Sequence, residues 1–250
     1  MAFSCAHCGG SLDLTPEARF GVCPFCGSSV YLDRSKAVLH LVAGLTLDEA
    51  KGKARLQSWM AGNDTVKGLE QTAVVEPPAL VYFPLWRFVS GTQGGERQWC
   101  EPARASTVAG LREISLSGSA LRHATPEDVA SLPLPEPEVR LESAIEWLAG
   151  KGVSRSDIRE TSLVHLPLYE FGYSWGGRSW KAAVDGASGR VLVSSYPAKS
   201  EAPYAFVTAL ALACFLGLGF AIPNVLLRLA AFLVASVPLG FLALAVVRKV

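Results

Sequence analysis

Four cysteines in two closely spaced pairs are the strongest constraint on how this chain can fold. The pairs lie in C-A-H-C-G and C-P-F-C-G, and fourteen residues separate them. Each C-x2-C pair can form a tight knuckle that directs two sulfur atoms at one point, and the glycine that follows suits the positive φ of such a turn. Two knuckles supply the tetrahedral thiolate set that zinc accepts in structural sites. The predicted ligands are Cys5, Cys8, Cys23 and Cys26.

Other uses of the four cysteines agree less well with the sequence. A thioredoxin-type redox site has a single C-x-x-C in a βαβ pattern, and disulfides are typical of secreted proteins. The first twenty residues contain no uninterrupted apolar signal segment. Iron could occupy the same four sulfurs. We therefore expect structural zinc, with iron as the alternative, in a ribbon of residues 1–36 that folds around the metal. His7 is expected to be exposed.

The last fifty residues contain two long uncharged segments, 205–222 and 229–247. A helix rises 1.5 Å per residue, so each segment is just long enough to cross a hydrocarbon core of about 30 Å. Only six residues separate the segments, and this predicts a tight antiparallel transmembrane hairpin in residues 201–250. The alternative is a buried hairpin in a soluble core.

Basic residues beside the two segments predict how the hairpin is oriented. Arg190, Lys199, Arg248 and Lys249 lie on the side of the chain termini, and Arg228 alone lies in the turn. The positive-inside rule then places both termini in the cytoplasm, where thiols stay reduced. The expected location is the cytoplasmic (inner) membrane, with two passes, and the lipid bilayer is an expected partner.

Small residues recur every fourth position in the first apolar segment: Ala209, Ala213, Gly217 and Ala221. On a helix they form a stripe along one face, and small residues allow membrane helices to approach closely. The stripe predicts helix packing, either within the hairpin or between copies in a homo-oligomer. An alanine-rich composition without a packing role is the alternative.

The middle of the chain contains a weak internal repeat. "ALVYFPLWRF" (79–88) resembles "SLVHLPLYEF" (162–171), and a glycine-rich turn follows each. A helix is expected before each strand, at about 46–61 with Thr46 as N-cap, and at 139–149. The Pro-rich segment 125–138 is expected to be a surface connection. The expected fold is α+β, with an N-terminal zinc ribbon and a C-terminal two-helix transmembrane hairpin; the two α+β repeats would occupy residues 37–135 and 136–200.

On these motifs the chain resembles a group of poorly characterised bacterial proteins with a zinc ribbon, a duplicated middle domain and C-terminal membrane helices. The segment "VDGASGRV", which follows a helix and a hairpin, is also similar to PepSY-like modules over about residues 139–195. The ribbon sequence "CPFCGSSVYL" looks like ribbons of transcription and replication factors. No GxxxxGK[ST] motif occurs, so the sequence does not support a helicase.

No catalytic constellation is visible in the sequence, and we expect a non-enzyme. The four histidines are scattered, and H-E-x-x-H and G-x-S-x-G are absent. The leading hypothesis is a membrane-anchored, cytoplasm-facing adaptor that binds an unknown protein. The alternatives are a regulator of a membrane peptidase, a subunit of a larger membrane complex, and a nucleic-acid-binding ribbon. Nucleic acid is not expected, because the ribbon has three basic and three acidic residues.

Overall fold

The structure is a computed structural model that describes residues 3–15, 18–33, 36–92, 95–116, 121–199 and 202–249. The chain forms two compact units: Met1–Trp59 with Ala73–Tyr196, and Met60–Thr72 with Pro197–Val250. The strands are β1 Phe3–Ser4, β2 Ser11–Leu12, β3 Phe20–Val22, β4 Ser29–Asp33, β5 Lys36–Ala43, β6 Val74–Val75, β7 Ala79–Thr92, β8 Gly95–Pro102, β9 Leu121–His123, β10 Ile158–Trp175, β11 Arg178–Asp185 and β12 Val191–Val193. The helices are α1 Glu49–Met60, α2 Leu69–Thr72, α3 Pro126–Ser131, α4 Leu141–Ala149, α5 Ala202–Ala221 and α6 Val225–Lys249.

The larger unit is built on a mixed sheet with the long strand β10 at its centre. One path through the sheet runs β12-β11-β10-β5-β4-β3. β5 and β11 pair with successive parts of one edge of β10. β7 pairs with the other edge of β10, and β8 pairs with β7. β6 also pairs with β10, and β9 pairs with β5. The combination of this sheet with separate helices confirms the α+β class.

The ribbon segment continues directly into this sheet. β3 pairs with β4, and β4 pairs with β5 in a hairpin that closes at Asp33 and Lys36. β5 then runs parallel to β10, with Leu39 opposite Ser162. The two predicted domains on either side of residue 36 therefore share one sheet.

The two hairpins of the repeat have the same length and the same register. In the first, Leu85 pairs with Pro102; adding 83 to both numbers gives the pair Leu168 and Asp185 of the second. The same shift converts the last pair of β7–β8, Thr92↔Gly95, into the last pair of β10–β11, Trp175↔Arg178. This agreement supports the predicted duplication.

The two hairpins pair with each other around a local two-fold axis. β7 and β10 are antiparallel, and Phe83 lies opposite Leu166. These two residues are themselves equivalent under the shift of 83, so the axis passes between them. The core on one face of the sheet surrounds this point and contains Leu41, Ala43, Phe83, Leu85, Cys100, Leu111, Ile114, Leu116, Val164, Leu166, Leu168, Ala183 and Leu192.

Backbone hydrogen bonds at the ends of the hairpins repeat in the same way. The amide of Ala103 donates to the carbonyl of Pro84 at 3.0 Å, and the amide of Gly186 donates to the carbonyl of Pro167 at 2.7 Å. The carbonyl of Ala103 accepts from the amides of residues 138 and 139, both at 2.8 Å. The carbonyl of Gly186 accepts from the amides of residues 46 and 47, both at 3.0 Å. The chain just before a helix is thus hydrogen-bonded to the end of a hairpin in both cases.

Each helix packs on the hairpin of the other repeat. Residues of α4 share a core with Trp86, and the Trp86 indole donates to the carbonyl of Val139. The start of α1 contacts Tyr169, whose hydroxyl donates to the carbonyl of Leu47. Both predicted helices are confirmed, but the predicted cap is wrong: the Thr46 hydroxyl donates to the carbonyl of residue 187, and the Asp48 carboxylate accepts the amide of residue 51.

The segment predicted as a Pro-rich surface connection includes one short helix. Thr125 and Asp128 form a capping box, with Pro126 in the first turn, so α3 begins there. The Pro-rich chain after α3 packs inward as well, because Leu132 and Leu134 lie against buried Tyr82. This helix was not predicted, because the prolines of the segment were interpreted as a sign of loop structure, although proline is common in the first turn of a helix.

The smaller unit contains the two apolar helices. α5 and α6 are joined by residues 222–224, and the side chain of Asn224 accepts the amides of Leu226 and Leu227 at 3.0 and 3.2 Å. This cap starts α6 at Val225 rather than at the predicted residue 229, so Arg228 lies within the helix. In the same unit Thr65 forms a bridge with Ala198, which joins the loop after α1 to the chain that enters α5.

Candidate metal centre

The two C-x2-C pairs form knuckles with the same backbone geometry. The amide of Gly9 donates to the carbonyl of Cys5, and the amide of Gly27 donates to the carbonyl of Cys23, both at 2.9 Å. Both glycines have φ of +72°, a conformation that costs side-chain-bearing residues energy. Each knuckle is the turn of a short hairpin, the first between β1 and β2 and the second between β3 and β4. The folding of each pair therefore follows from its own local sequence.

The knuckles bring all four predicted ligands together. The sulfur atoms of Cys5 and Cys26 are 3.8 Å apart, and those of Cys8 and Cys23 are 3.7 Å apart. All four sulfurs lie within 4.8 Å of one another. A zinc–sulfur bond of about 2.3 Å gives a tetrahedron with edges of about 3.8 Å. The four cysteines can therefore hold a metal ion with four sulfur ligands.

Hydrogen bonds near the sulfurs favour the deprotonated form of one cysteine. Hydrogen bonds from Ser28 lower the pKa of Cys26 to about 6. For Cys8, the Gly10 amide lowers the pKa, but the neighbouring thiols and desolvation together raise it to about 12. Four thiols this close compete for protons because thiolates repel one another. A divalent cation would remove this repulsion and bind all four as thiolates.

The metal ligands are supported from outside the cluster. Nδ1 of His7 lies 2.7 Å from the hydroxyl of Ser28, so a hydrogen bond links the two knuckles. The ring of His7 stacks on His123 of β9 at a centroid distance of 5.5 Å. His7 is exposed, as predicted, and lies outside the four-residue ligand cluster. Its role is to position the knuckles relative to each other.

Cys5 and Cys23 are buried, whereas Cys8 and Cys26 are exposed. The buried pair lies in a small apolar cluster with Phe3, Leu12, Val30 and Leu32. So few apolar residues cannot stabilise a ribbon alone. The metal site is thus half embedded in the ribbon core and half open to solvent.

The two other cysteines are separate from this centre. Cys100 is buried in the sheet core, and burial raises the pKa of its thiol to about 11. That pKa makes it a poor nucleophile. Cys214 lies in α5 and is half-buried.

Both C-terminal helices are long and apolar enough to cross a membrane: Pro203–Ala221 has a mean hydropathy of 2.0 and Val225–Val246 has 2.4. Neither is buried inside the protein. Such a surface is unfavourable in water and favourable in lipid.

The predicted small-residue stripe lies outside the contact between α5 and α6. Ala209, Ala213, Gly217 and Ala221 are all exposed, and a Cβ placed on Gly217 would have no atom within 4 Å. The helices meet instead on another face, where the ring of Phe215 packs edge-on against Phe232 at 5.4 Å. Packing of the stripe between copies of the chain stays a prediction.

One pair of polar residues was not expected from the sequence. His40 of β5 and His165 of β10 are both fully buried, and their rings join through Nε2 and Nδ1 at 3.0 Å. His165 Nε2 lies 3.0 Å from the carbonyl of Pro135. If that nitrogen donates, the chain of bonds leaves Nδ1 of His40 as an acceptor, and this atom has no partner among the described residues.

Burial determines the charge state of this pair. It lowers the pKa of both imidazoles, and His40 is further lowered by His165, to about 3. The rings are therefore neutral at physiological pH. The pair is 125 residues apart in sequence and meets only because β5 and β10 run parallel side by side. No local motif could have predicted it.

Comparison of the chain with protein-family models, with curated proteins and with solved structures found no match. The predicted resemblance to zinc-ribbon membrane proteins and PepSY-like modules therefore stays a prediction.

Proposed function

We propose that this protein is a zinc-ribbon adaptor, anchored in the cytoplasmic membrane by α5 and α6, that binds another protein on the cytoplasmic side. The observation that carries the proposal is the four-sulfur cluster, whose closest sulfur distances of 3.7 and 3.8 Å suit tetrahedral zinc. The same chain carries two apolar helices of membrane-spanning length. Reduced thiolates require a reducing compartment, which supports a ribbon on the cytoplasmic face.

A structural metal fits this donor set better than a catalytic one. Four thiolates complete the tetrahedral shell of zinc and leave no position for water or substrate. The metal would stabilise the two knuckles, which lack a sufficient apolar core. Its function is then to shape a surface rather than to carry out a reaction.

The surface that the metal would shape is partly apolar. Phe25, at the tip of the second knuckle, is 70% exposed, and Val22 of β3 is 41% exposed. Exposed aromatic and aliphatic side chains that lie together favour protein contacts. The ribbon has equal numbers of acidic and basic residues, so this surface suits a protein partner better than nucleic acid.

Metal analysis of the full-length protein in detergent tests the first part of the proposal. We expect a single zinc ion per chain, and the loss of this ion in Cys5→Ser. Cys100→Ser is the matched control, because Cys100 is also buried but lies in the sheet core. Iron in place of zinc would change the metal but keep the site. Stoichiometric metal in Cys5→Ser would contradict the ligand set.

Membrane fractionation with an alkaline wash tests the anchor. The full-length protein should stay in the membrane pellet, and a protein that ends before Ala202 should move to the supernatant. Topology reporters fused to each terminus should both report the cytoplasm. A soluble full-length protein, or a terminus on the other side, would overturn this part of the proposal.

Photo-crosslinking in living cells tests partner binding. A photoreactive residue in place of Phe25 should yield one reproducible protein adduct, and the same group in place of Lys53, an exposed residue of α1, should not. Adducts of equal variety at both positions would argue against a specific partner.

A further inference from the structure

The two repeats differ in one respect that exposes a pairing edge. On β10, the edge formed by Ser162–His165 is occupied by β5 in parallel orientation. The equivalent edge on β7 is formed by Ala79–Tyr82, the same positions less 83. Across the described parts of the chain, β7 pairs only with β10 and β8, and the β8 pairs begin at Leu85. No described strand therefore takes the place on β7 that β5 takes on β10.

A neighbouring hydrogen bond shows in which direction the backbone amides and carbonyls of this edge point. The carbonyl of Pro84 accepts the amide of Ala103, on the β8 side of β7. Backbone groups of alternate residues point to the same side of a strand. The amides and carbonyls of Leu80 and Tyr82 therefore point to the same side of β7 as the Pro84 carbonyl. None of these groups has a backbone partner there among the described residues. They form an open template for one more strand.

Two of the four side chains at the edge are accessible, whereas Tyr82 is only 6% exposed and lies against Leu132 and Leu134. Ala79 is exposed, Leu80 is 37% exposed, and Val81 is half-buried against the sheet core. Natural edge strands are usually protected by charged side chains or proline. Here only Pro77 and Pro78 precede the edge, and residues 79–82 contain no charge.

We propose that the edge formed by Ala79–Tyr82 binds an extended, apolar segment of a partner protein, which adds to β7 as a parallel strand. This inference rests on the proposed adaptor function and names a second surface for the partner, in addition to the ribbon surface with Phe25. The template for the occupant is β5: Leu39 and Leu41 face one core, and Val42 faces another. The added segment is therefore apolar on the face of Leu39 and Leu41, and on the other face it has one apolar position, that of Val42, beside the polar position of His40. A second copy paired edge to edge by two-fold symmetry would run antiparallel and would not reproduce this arrangement.

The probe that tests the site is a synthetic peptide with the sequence of residues 36–43, KAVLHLVA. We expect the peptide, added to the full-length protein in detergent, to slow amide hydrogen exchange at Leu80 and Tyr82 at least tenfold. In β5 the carbonyl of His40 accepts the Ala124 amide, so the groups of Leu41 face the opposite side, toward β10. N-methylation of the peptide at its Leu41 position should abolish binding, and N-methylation at its His40 position should be tolerated.

Two protein variants complete the test. Leu80→Pro removes the outward amide and should remove the peptide effect at Tyr82, whereas Leu80→Ala keeps the amide and should preserve it. No protection at millimolar peptide, or equal binding of the two methylated peptides, would overturn the proposal. Protection that instead rises with protein concentration, without peptide, would show self-pairing and would also overturn it. Metal content and membrane attachment do not depend on this edge, so failure here is distinguishable from failure of the adaptor proposal.

Discussion

Trp86 and Tyr169 occupy equivalent positions in the two repeats, and each donates a hydrogen bond to the carbonyl two residues before a helix. The Trp86 indole reaches Val139 at 2.8 Å, ahead of α4, and the Tyr169 hydroxyl reaches Leu47 at 2.9 Å, ahead of α1. An indole N–H and a phenol O–H thus make equivalent hydrogen bonds in the two repeats. The position requires a large ring with a polar tip, and both indole and phenol satisfy it.

Removal of the Tyr169 hydroxyl should destabilise the protein. Tyr169→Phe leaves the half-buried carbonyl of Leu47 without its partner, and we expect the free energy of unfolding to fall by about 1 kcal/mol. Tyr173→Phe is the matched control on the same strand, because the Tyr173 hydroxyl is buried without a hydrogen-bond partner among the described residues. That change should be neutral or stabilising. Denaturant unfolding of the full-length protein in detergent measures both; equal losses would contradict the assigned bond.

The buried histidine pair should make the protein sensitive to mild acid. In the unfolded chain a histidine binds a proton below about pH 6.5, whereas burial holds the pKa of folded His40 at about 3. The unfolded state therefore binds more protons between these values, and the free energy of unfolding falls as the pH drops from about 6.5 toward 3. Each such histidine contributes a slope of at most about 1.4 kcal/mol per pH unit.

His40→Gln tests this pH dependence, because the glutamine amide can still donate to Nδ1 of His165 but does not titrate in this range. The difference in unfolding free energy between pH 6.5 and pH 5 should be smaller in the variant than in the natural protein. An unchanged pH dependence in His40→Gln would show that the pair does not titrate as described.

Loss of the buried Glu101 charge should be costly. The Glu101 carboxylate is fully buried and forms ion pairs with Lys151 and with Arg112 at 2.9 Å. Glu101→Gln leaves two cations without their anion, and we expect a loss of about 1–3 kcal/mol. In the control, Glu138→Gln, both members of the Arg104–Glu138 pair are about half exposed, so the change should stay within about 0.5 kcal/mol. Similar results for the two variants would argue against the buried network.

The contact between α5 and α6 should tolerate a large residue at one glycine but not at another. Gly219 lies under Phe232, with 3.9 Å between the ring and a Cβ placed on the glycine, whereas a Cβ on Gly217 meets nothing. Gly219→Leu should displace the Phe232 ring and remove the nuclear Overhauser contact between Phe215 and Phe232 in micelles. Gly217→Leu should keep that contact; its loss there would place the stripe inside the hairpin after all.

The sequence predicted features that depend on local pattern. The knuckles follow from four cysteines and two glycines, and α4 follows from apolar spacing. α1 was predicted from a capping pattern at Thr46, although Asp48 accepts the first-turn amide. The two apolar helices were identified from uncharged length, although the Asn224 cap moved the start of α6 by four residues. Each of these features is determined within about twenty residues of chain.

Features that depend on tertiary arrangement were missed. Each helix packs on the hairpin of the other repeat, where Trp86 or Tyr169 is hydrogen-bonded to the chain before that helix. These contacts join two repeats, so they cannot be predicted from either repeat alone. The His40–His165 pair needs a parallel pairing between strands that lie far apart in sequence. The contact face of α5 was also missed, because small residues form one stripe while Phe215 and Gly219 form another.

β5 leaves the ribbon without a linker and enters the sheet beside β10. The ribbon is therefore not a detachable module. A protease cut in the second knuckle would free one end of a strand that completes the hydrophobic core, and a truncated protein that begins after Ala43 would present the bare backbone of Ser162–His165 to solvent. Loss of a metal ion bound by the four cysteines would, by the same connection, loosen the sheet around β5 as well as the ribbon.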